Sequence, residues 1–445
     1  MRAISYWGVA ASMACAVSVL GLTPTYAQSA EQAQILERLD MLQAELDALK
    51  KQLAETKTQA DQSKKLAEKA DNRAQKAVLA ADIVRPNAWH MAGYADVGIE
   101  FSDGENSDTF TSGKFNPAFH FLYKDLVLFE SEFQVTTTDG GETDLELEYS
   151  QLDFLLHDNA VLVAGKFLSP VGQFQERLHP SWINRLTNAP VGFGHGGIQP
   201  LSDVGLMLRG GIPVGDRLFT YSVAVGNGPR LGHDGVELEG FGRDDNSNKA
   251  VSGRAAFFPI DNLEIGGSFL FAKVTAEGEE EPDDDHDDDE VLASVVADSG
   301  DLQDLPLRDY DLWGFDAAFT KGNWDIRAEY LNANLKGLGD PDDDHGDVIE
   351  PLSWEAWYAQ VAYRMSGVSD SSFFQKLEPV VRYGRFTVEG DHDLEDELNE
   401  KRFNIGLNYW VSPSVVVKSA IEFRNYMASE REDDTRLQLQ LSYGF

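Results

Sequence analysis

Three acidic runs with a histidine inside each of them contain the side chains best suited to holding a metal ion. They occupy residues 277–290, 340–350 and 391–400. Carboxylate oxygens suit Ca²⁺ or Mg²⁺, and an added imidazole nitrogen suits Zn²⁺. The candidate ligands are His286, Asp342, Asp344, His345 and His392. Loose capture of divalent cations and simple solvated, repelling loops are both open interpretations, and no tightly bound metal or other cofactor is expected.

The motifs that support common catalytic reactions are absent from this chain. It contains no H-E-x-x-H pair, no Walker loop and no nucleophile elbow. Its one cysteine is Cys15, within a segment expected to be cleaved, which excludes a disulfide or a cysteine nucleophile in the mature chain. The formal net charge of −38 argues against nucleic acid as a partner. An enzyme is therefore not expected.

The N-terminal 85 residues are predicted to form two segments. Residues 1–27 combine Arg2, a short apolar stretch and small residues before position 28, which is typical of a secretory signal peptide. From Ile35 an apolar seam then steps alternately by four and three through Leu39, Leu42 and Leu46. Because this 3.5-residue period runs for about seven heptads, residues 28–85 are predicted to form an α-helical coiled coil with partner helices. A solitary solvated helix is the alternative.

Beyond residue 86 the apolar residues recur with a period of two. The clearest case is the C-terminus, where Leu437, Leu439 and Leu441 alternate with polar residues up to Phe445. Segments of about ten residues with this pattern begin near positions 89, 114, 126, 143, 159, 202, 217, 249, 262, 308, 323, 353, 377, 401, 414 and 435. Such segments suit tilted membrane strands, and an even number is typical of bacterial barrels. Residues 86–445 are therefore predicted to form an all-β, antiparallel transmembrane β-barrel of about sixteen strands.

The connections between these segments alternate in length. Short ones, such as 124–125, 157–158 and 321–322, interleave with long polar ones, such as 168–201 and 275–307. Short turns on one rim and long loops on the other are typical of outer-membrane barrels. The exceptions are a longish turn at 366–376 and a brief loop at 137–142. The long loops are then expected outside the cell and the coiled coil in the periplasm.

The barrel segment resembles the phosphate-selective porin O and P family over residues 89–445. The resemblance rests on the C-terminal segment from Leu439 to Phe445 and on Gly165-Lys166-Phe167-Leu168-Ser169-Pro170-Val171-Gly172. It implies a Gram-negative outer-membrane porin surrounded by lipid. Tyr443 and Phe445 would belong to the signal that the barrel-assembly machinery reads. Residues 168–201 would fold inward to narrow the pore.

If the apolar residues of each strand face lipid, the alternate residues face the lumen. The predicted lining is Glu130, Glu132, Glu146, Glu148, Arg209, Arg254, Arg327, Arg364, Arg382, Arg402 and Arg424. The predicted constriction comprises Lys166, Glu176, Arg177, His179 and Arg185. Charges separated around the wall would produce a transverse field that favours hydrated solutes. Pairing of these charges across neighbouring strands is the alternative.

Two classes of function compete. The first is a water-filled channel for passive diffusion of ions and small hydrophilic solutes, with the anion or phosphate selectivity that the resemblance implies. The second is a structural anchor that tethers the outer membrane to peptidoglycan or periplasmic partners through the coiled coil. A channel that collects divalent cations at low affinity is a variant of the first. The heptad seam and the porin-like barrel together suggest a homotrimer.

Overall fold

The computed structural model describes most of residues 87–445. The described ranges are 87–103, 108–138, 140–232, 235–237, 246–275, 307–337, 350–368, 370–390, 394–395, 398–427 and 431–445, with six isolated positions between 41 and 65. The chain divides into two units, Met1–Arg85 and Pro86–Phe445. The predicted signal peptide and coiled coil fall on the first unit and lie outside the described ranges.

Sixteen antiparallel strands of the second unit form a closed barrel. They are β1 Asn87–Ser102, β2 Thr109–Tyr123, β3 Val127–Thr137, β4 Thr143–His157, β5 Ala160–Leu168, β6 Ser202–Val214, β7 Arg217–Gly226, β10 Ala250–Ile260, β11 Leu263–Thr275, β12 Leu307–Lys321, β13 Trp324–Leu335, β14 Leu352–Tyr363, β15 Leu377–Glu389, β16 Glu400–Ser412, β17 Val415–Tyr426 and β18 Asp434–Gly444. The remaining elements are a hairpin of β8 Arg230–Gly232 and β9 Gly235–Glu237, the short helix α1 Phe174–Arg177, and 3₁₀ turns at Met365–Gly367 and Phe374–Lys376. The predicted strand number is confirmed.

The two-residue period explains which face each side chain takes. On β18, Leu437, Leu439 and Leu441 are 42–44% exposed on the outer face, whereas Gln438 and Ser442 are buried on the inner face. Successive residues of a strand point to opposite faces, so an alternating sequence produces an apolar exterior. Among the described residues, no helix has the length and apolar character needed to cross a membrane.

The connections follow the predicted alternation in length. The compact turn after β2 places both Lys124 and Asp125 at positive φ, as two-residue hairpin turns require. The turn from β14 to β15, residues 364–376, is longer and contains the two 3₁₀ turns. The loop from β3 to β4, residues 138–142, is brief. Both expected exceptions are therefore present. Since sequential strands pair antiparallel, the short turns lie on one rim and the long loops on the other.

The expectation that the inner wall is polar throughout is wrong for β11 to β15. Inward-facing Leu312, Leu331, Tyr358 and Phe386 belong to a buried apolar cluster inside the barrel. The other face of this wall is apolar as well, as the exposed Phe315 on β12 shows. A wall that is apolar on both faces needs a cover on its inner side, and the loop from β5 to β6 provides it.

Candidate pore constriction

The loop from β5 to β6, residues 169–201, folds into the lumen and is called the inner loop here. Its side chains Val171, Phe174, Val191, Phe193 and Ile198 are all at most 5% exposed and pack against the apolar wall. Burial of a large apolar side chain contributes about 1.5–3 kcal/mol. This apolar contact helps to hold the loop inside the barrel, and the loop folds inward as the family resemblance implied.

Glu329 of β13 fixes the start of the inner loop. Its carboxylate accepts hydrogen bonds from the backbone N–H groups of Gln173 (3.0 Å) and Phe174 (3.2 Å). It also accepts from Gln199 Nε2 and the Tyr358 hydroxyl, both at 3.3 Å. Gly172 adopts φ +72°, and a Cβ there would collide with Glu329 Oε1. Glycine is therefore required for this close approach of backbone to carboxylate.

Two inward basic residues hold the other half of the inner loop. Lys418 of β17 is fully buried, and its Nζ donates to the carbonyl oxygens of Leu186 (3.1 Å) and Ser181. Arg382 of β15 donates to the Asn188 carbonyl (2.8 Å) and to Asn184 Oδ1 (2.7 Å). Because these cations are satisfied by loop carbonyl and amide oxygens, their charge is not cancelled by a carboxylate at these contacts.

Four of the five predicted constriction residues lie on the inner loop and reach different parts of the wall. Arg177 Nη1 donates to both oxygens of Glu264 (2.9 and 2.8 Å), and Glu176 lies 3.6 Å from Arg177 Nε. His179 Nε2 lies 3.8 Å from Glu132 Oε1, on β3. Arg185 lies between Asp325 (3.4 Å) and Glu378 (3.7 Å). The loop therefore crosses the lumen, and Arg177, His179 and Arg185 each face a carboxylate of the wall.

The fifth constriction prediction, Lys166, is wrong about position. On β5 the inward residues are Val163 and Phe167, which are fully buried against Met207. Lys166 therefore lies on the outer face, where its Nζ donates to the Leu147 carbonyl at 2.6 Å. The alternation is inverted here because the inner side of β5 is apolar, so the polar residue of the pair faces outward.

The predicted lining residues lie on the inner face, and most of the arginines pair with carboxylates on their own strand or on a strand one or two places away. The pairs are Arg209 with Asp153, Arg254 with Glu264 and Asp316, Arg327 with Asp325, Arg364 with Glu378, Arg402 with Glu400, and Arg424 with Glu422. Glu130 lies 3.6 Å from Arg209, Asn116 donates to Glu132, and Gln134 donates to Glu146. Half of these arginines pair within their own strand and half pair across strands, and Arg382 is the exception described above.

Three cavities lie around the inner loop. An outer vestibule of about 490 Å³ is lined by Arg402, Arg424, Arg431 and Arg436, with Glu100 and Glu400. A chamber of about 300 Å³ lies between the loop and β1, β2 and β18 and includes Asp96, Lys114, Glu148, His179 and His195. An inner vestibule of about 640 Å³ is lined by Trp182, Arg185, Arg364, Lys376 and Trp410. The outer vestibule and the chamber share Glu100 and His195, which places His195 at their junction.

Arg364 follows the last residue of β14 and faces the inner vestibule. Its guanidinium lies 4.5 Å from the centre of the Trp410 ring and 3.4 Å from Glu378. Burial lowers the pKa of Arg364 from its ordinary value; Glu378 opposes this effect and the nearby Arg185 adds to it. The guanidinium nevertheless remains charged at neutral pH, because an arginine pKa starts above 12.

The two aromatic residues predicted as an assembly signal lie at the barrel seam. Tyr443 is 46% exposed on the outer face of β18. The backbone of Phe445 exchanges two hydrogen bonds with Gly93 of β1, at 2.9 and 3.1 Å, and its ring stacks on Phe115. The C-terminal residue therefore completes the pairing that closes the barrel.

Several anchoring residues of the inner loop were not among the predicted site residues. Glu329, Gln199 and Tyr358 are the main ones, together with His195 at the cavity junction. A signal for the docking wall is present in the sequence, because β12 and β14 carry apolar residues at successive positions instead of alternate ones. The predicted metal ligands His286, Asp342, Asp344, His345 and His392 lie outside the described residues.

Comparison with known proteins places the barrel among porins. Porin O of Pseudomonas aeruginosa is 26% identical over 135 residues, which cover 25% of this chain and 29% of that protein, so the match spans less than a third of its length. The outer membrane channel DcaP of Acinetobacter baumannii is similar in structure, with a TM-score of 0.50, 12% identity and coverage of 81% of this chain and 98% of that one. An anion-selective porin from Comamonas acidovorans has a TM-score of 0.49 and 10% identity, over 81% of this chain and all of that one.

The family comparison covers the later strands of the barrel, from within β7 to the terminal strand. The model of the family described as phosphate-selective porin O and P matches residues 221–445, just over half of the chain. This protein therefore belongs to the phosphate-selective porin O and P family.

Proposed function

We propose that the protein is an outer-membrane porin, a channel for passive diffusion of ions and small hydrophilic solutes, and not an enzyme. The observation that carries this proposal is the set of three cavities, each lined in part by charged side chains, that lie around the inner loop inside a closed sixteen-stranded barrel. A barrel of this size leaves an aqueous interior that side chains of the wall do not fill. The family membership supports the same activity.

The channel is proposed to prefer anions. The outer vestibule exposes four arginines against two carboxylates. The partners Glu422 and Asp434 lie deeper, at 0% and 8% exposure, so a solute entering the vestibule meets guanidinium groups first. The described lining of the inner vestibule contains Arg185, Arg364 and Lys376 and no carboxylate. Positive groups exposed at both ends of the path would attract anions despite the net charge of −38.

The test is the reversal potential of the reconstituted full-length channel in a KCl gradient. We expect an anion preference for the natural protein and a shift toward cations for Arg185→Ala combined with Arg364→Ala. Removing these guanidinium groups leaves less positive charge beside the carboxylates of Asp325 and Glu378. Arg217→Ala is the matched control, because Arg217 pairs with the exposed Asp261 of a turn, away from the inner loop. An unchanged reversal potential in the double variant would contradict the anion proposal, and a silent protein would contradict the channel.

The envelope context is proposed from the sequence. Residues 1–27 act as a signal peptide, residues 28–85 form a periplasmic coiled coil, and residues 86–445 lie in outer-membrane lipid. The heptad seam supports a homotrimer, and the exposed apolar face of the barrel supports the lipid contact. The terminal aromatic residues support delivery by the barrel-assembly machinery. The coiled coil would be free to engage peptidoglycan or periplasmic partners in addition.

A further inference from the structure

A histidine of the inner loop faces two carboxylates of β4. The ligand atoms of His195, Glu146 and Glu148 all lie within 4.8 Å of one another. His195 stands between Gly194 and Gly196, whose φ angles are +75° and +73°, so it projects from a tight turn that only glycines adopt without strain. The loop therefore presents an imidazole to the wall at the junction of the outer vestibule and the chamber.

A second observation is the burial of the Glu148 side chain. Its side chain is only 8% exposed, and the charged groups that act on it are the imidazoles of His179 and His195 and the carboxylates of Glu132 and Glu146. Burying a carboxylate is costly unless positive charge compensates it. The ligand atoms of Glu148, His195 and Glu146 converge, so a metal cation bound between them would compensate both carboxylates.

The surroundings of Glu146 orient it toward the same point. Gln134 Nε2 donates to Glu146 Oε2 at 3.2 Å, and Lys114 Nζ in turn donates to Gln134 Oε1 at 3.2 Å. One carboxylate oxygen is thus held by the wall while the other stays available. Outer contacts of this kind hold metal-binding side chains in place.

We propose that His195, Glu146 and Glu148 form a binding site for a divalent transition-metal ion of the Zn²⁺ type. Imidazole nitrogen and carboxylate oxygen are both Zn²⁺ ligands, and three protein ligands leave a fourth position for water. If the three ligand atoms were each 4.8 Å apart, an ion at the centre of their triangle would lie about 2.8 Å from each of them. Small side-chain movements would shorten these separations to the usual Zn–N and Zn–O distances of about 2.0–2.2 Å. Ca²⁺ and Mg²⁺ prefer oxygen ligands and gain little from the imidazole.

The site would join the inner loop to β4 across the solute path. A bound ion would narrow the junction between outer vestibule and chamber and change its charge. Zn²⁺ is therefore expected to reduce the conductance of the channel, and a chelator to restore it.

The experiment has two readouts on the full-length protein, with ZnCl₂ as the probe. The first is zinc bound per protomer, measured by elemental analysis after desalting; the natural protein should retain one more ion than His195→Ala. The second is single-channel conductance during ZnCl₂ titration, where His195→Ala and Glu148→Gln should raise the half-blocking concentration at least tenfold. His157→Ala is the matched control, because His157 is the last residue of β4, on the opposite rim.

Each outcome decides the proposal. Equal zinc retention in the natural protein and His195→Ala would overturn it, as would a block that both variants leave unchanged or that CaCl₂ reproduces at equal concentration. The zinc count does not depend on conduction. A non-conducting protein that still loses one zinc with His195→Ala would therefore refute the channel proposal and support the metal site.

Discussion

At the residue scale, Glu329 shows how one buried carboxylate positions a segment that is distant in sequence. It lies 156 residues from Gln173 and nevertheless accepts hydrogen bonds from two consecutive backbone N–H groups at the start of the inner loop. Its side chain is fully enclosed, with 2% of the residue exposed. Each buried donor that would be left without its acceptor costs about 1–3 kcal/mol. Glu329 therefore holds the inner loop by hydrogen bonds, in addition to the apolar contacts between the loop and the barrel wall.

Glu329→Ala is predicted to loosen the inner loop without opening the barrel wall. Two backbone N–H groups, Gln199 and Tyr358 would lose their acceptor, at a cost of about 1–3 kcal/mol for each buried donor left unsatisfied. We expect a larger and noisier single-channel conductance and a lower temperature of barrel unfolding on gels. Glu389→Ala, at an exposed strand end, is the control. Natural conductance and noise in Glu329→Ala would show that the apolar contacts suffice.

At the scale of elements, β1 and β18 form the seam at which the barrel closes. They pair from Tyr94 with Gly444 to Ser102 with Arg436. Phe445 extends this ladder by its hydrogen bonds to Gly93, and its ring packs between Phe115 and Tyr443. Closure removes the unpaired strand edges that could otherwise not be tolerated in lipid.

Deletion of Phe445 is predicted to lower the amount of folded protein in the outer membrane severalfold and to leave chain in the periplasm. The physical reason is the loss of the last hydrogen-bonded pair and of two aromatic contacts at the seam. Membrane fractionation with immunoblotting measures this. Leu439→Ala, which removes an outward apolar side chain of the same strand but leaves the terminus intact, serves as the reference. Normal insertion of the deletion variant would contradict the role of Phe445 in assembly.

At the scale of the whole molecule, the net charge and the charge of the groups that line the two vestibules differ in sign. The chain has 75 acidic and 37 basic residues, but the arginines of the inner wall pair with buried carboxylates and expose guanidinium groups to the cavities. Exposed charges are screened over about 8 Å at physiological ionic strength, whereas groups inside a narrow path act at short range. Ion preference is therefore a property of the cavities and not of the net charge.

The complete protein is predicted to be a trimer in mild detergent. The trimer is supported by two features, the heptad seam that begins at Ile35 and the porin barrel. Mass measurement by light scattering or native mass spectrometry should give three copies, and a variant that lacks residues 28–85 should show weaker association if the helices contribute. A purely monomeric full-length protein would contradict the prediction.

The sequence by itself determined the strand number, the strand boundaries to within a few residues and the alternation of short turns with long loops. These properties depend on residues that are close along the chain, since side chains two apart share a face and turn residues act locally. Tertiary structure alone decided which wall the inner loop covers, why Lys166 faces outward, and that Glu329 and His195 meet their partners. Those outcomes depend on contacts between residues that are far apart along the chain, such as Gln173 with Glu329, which no local pattern encodes.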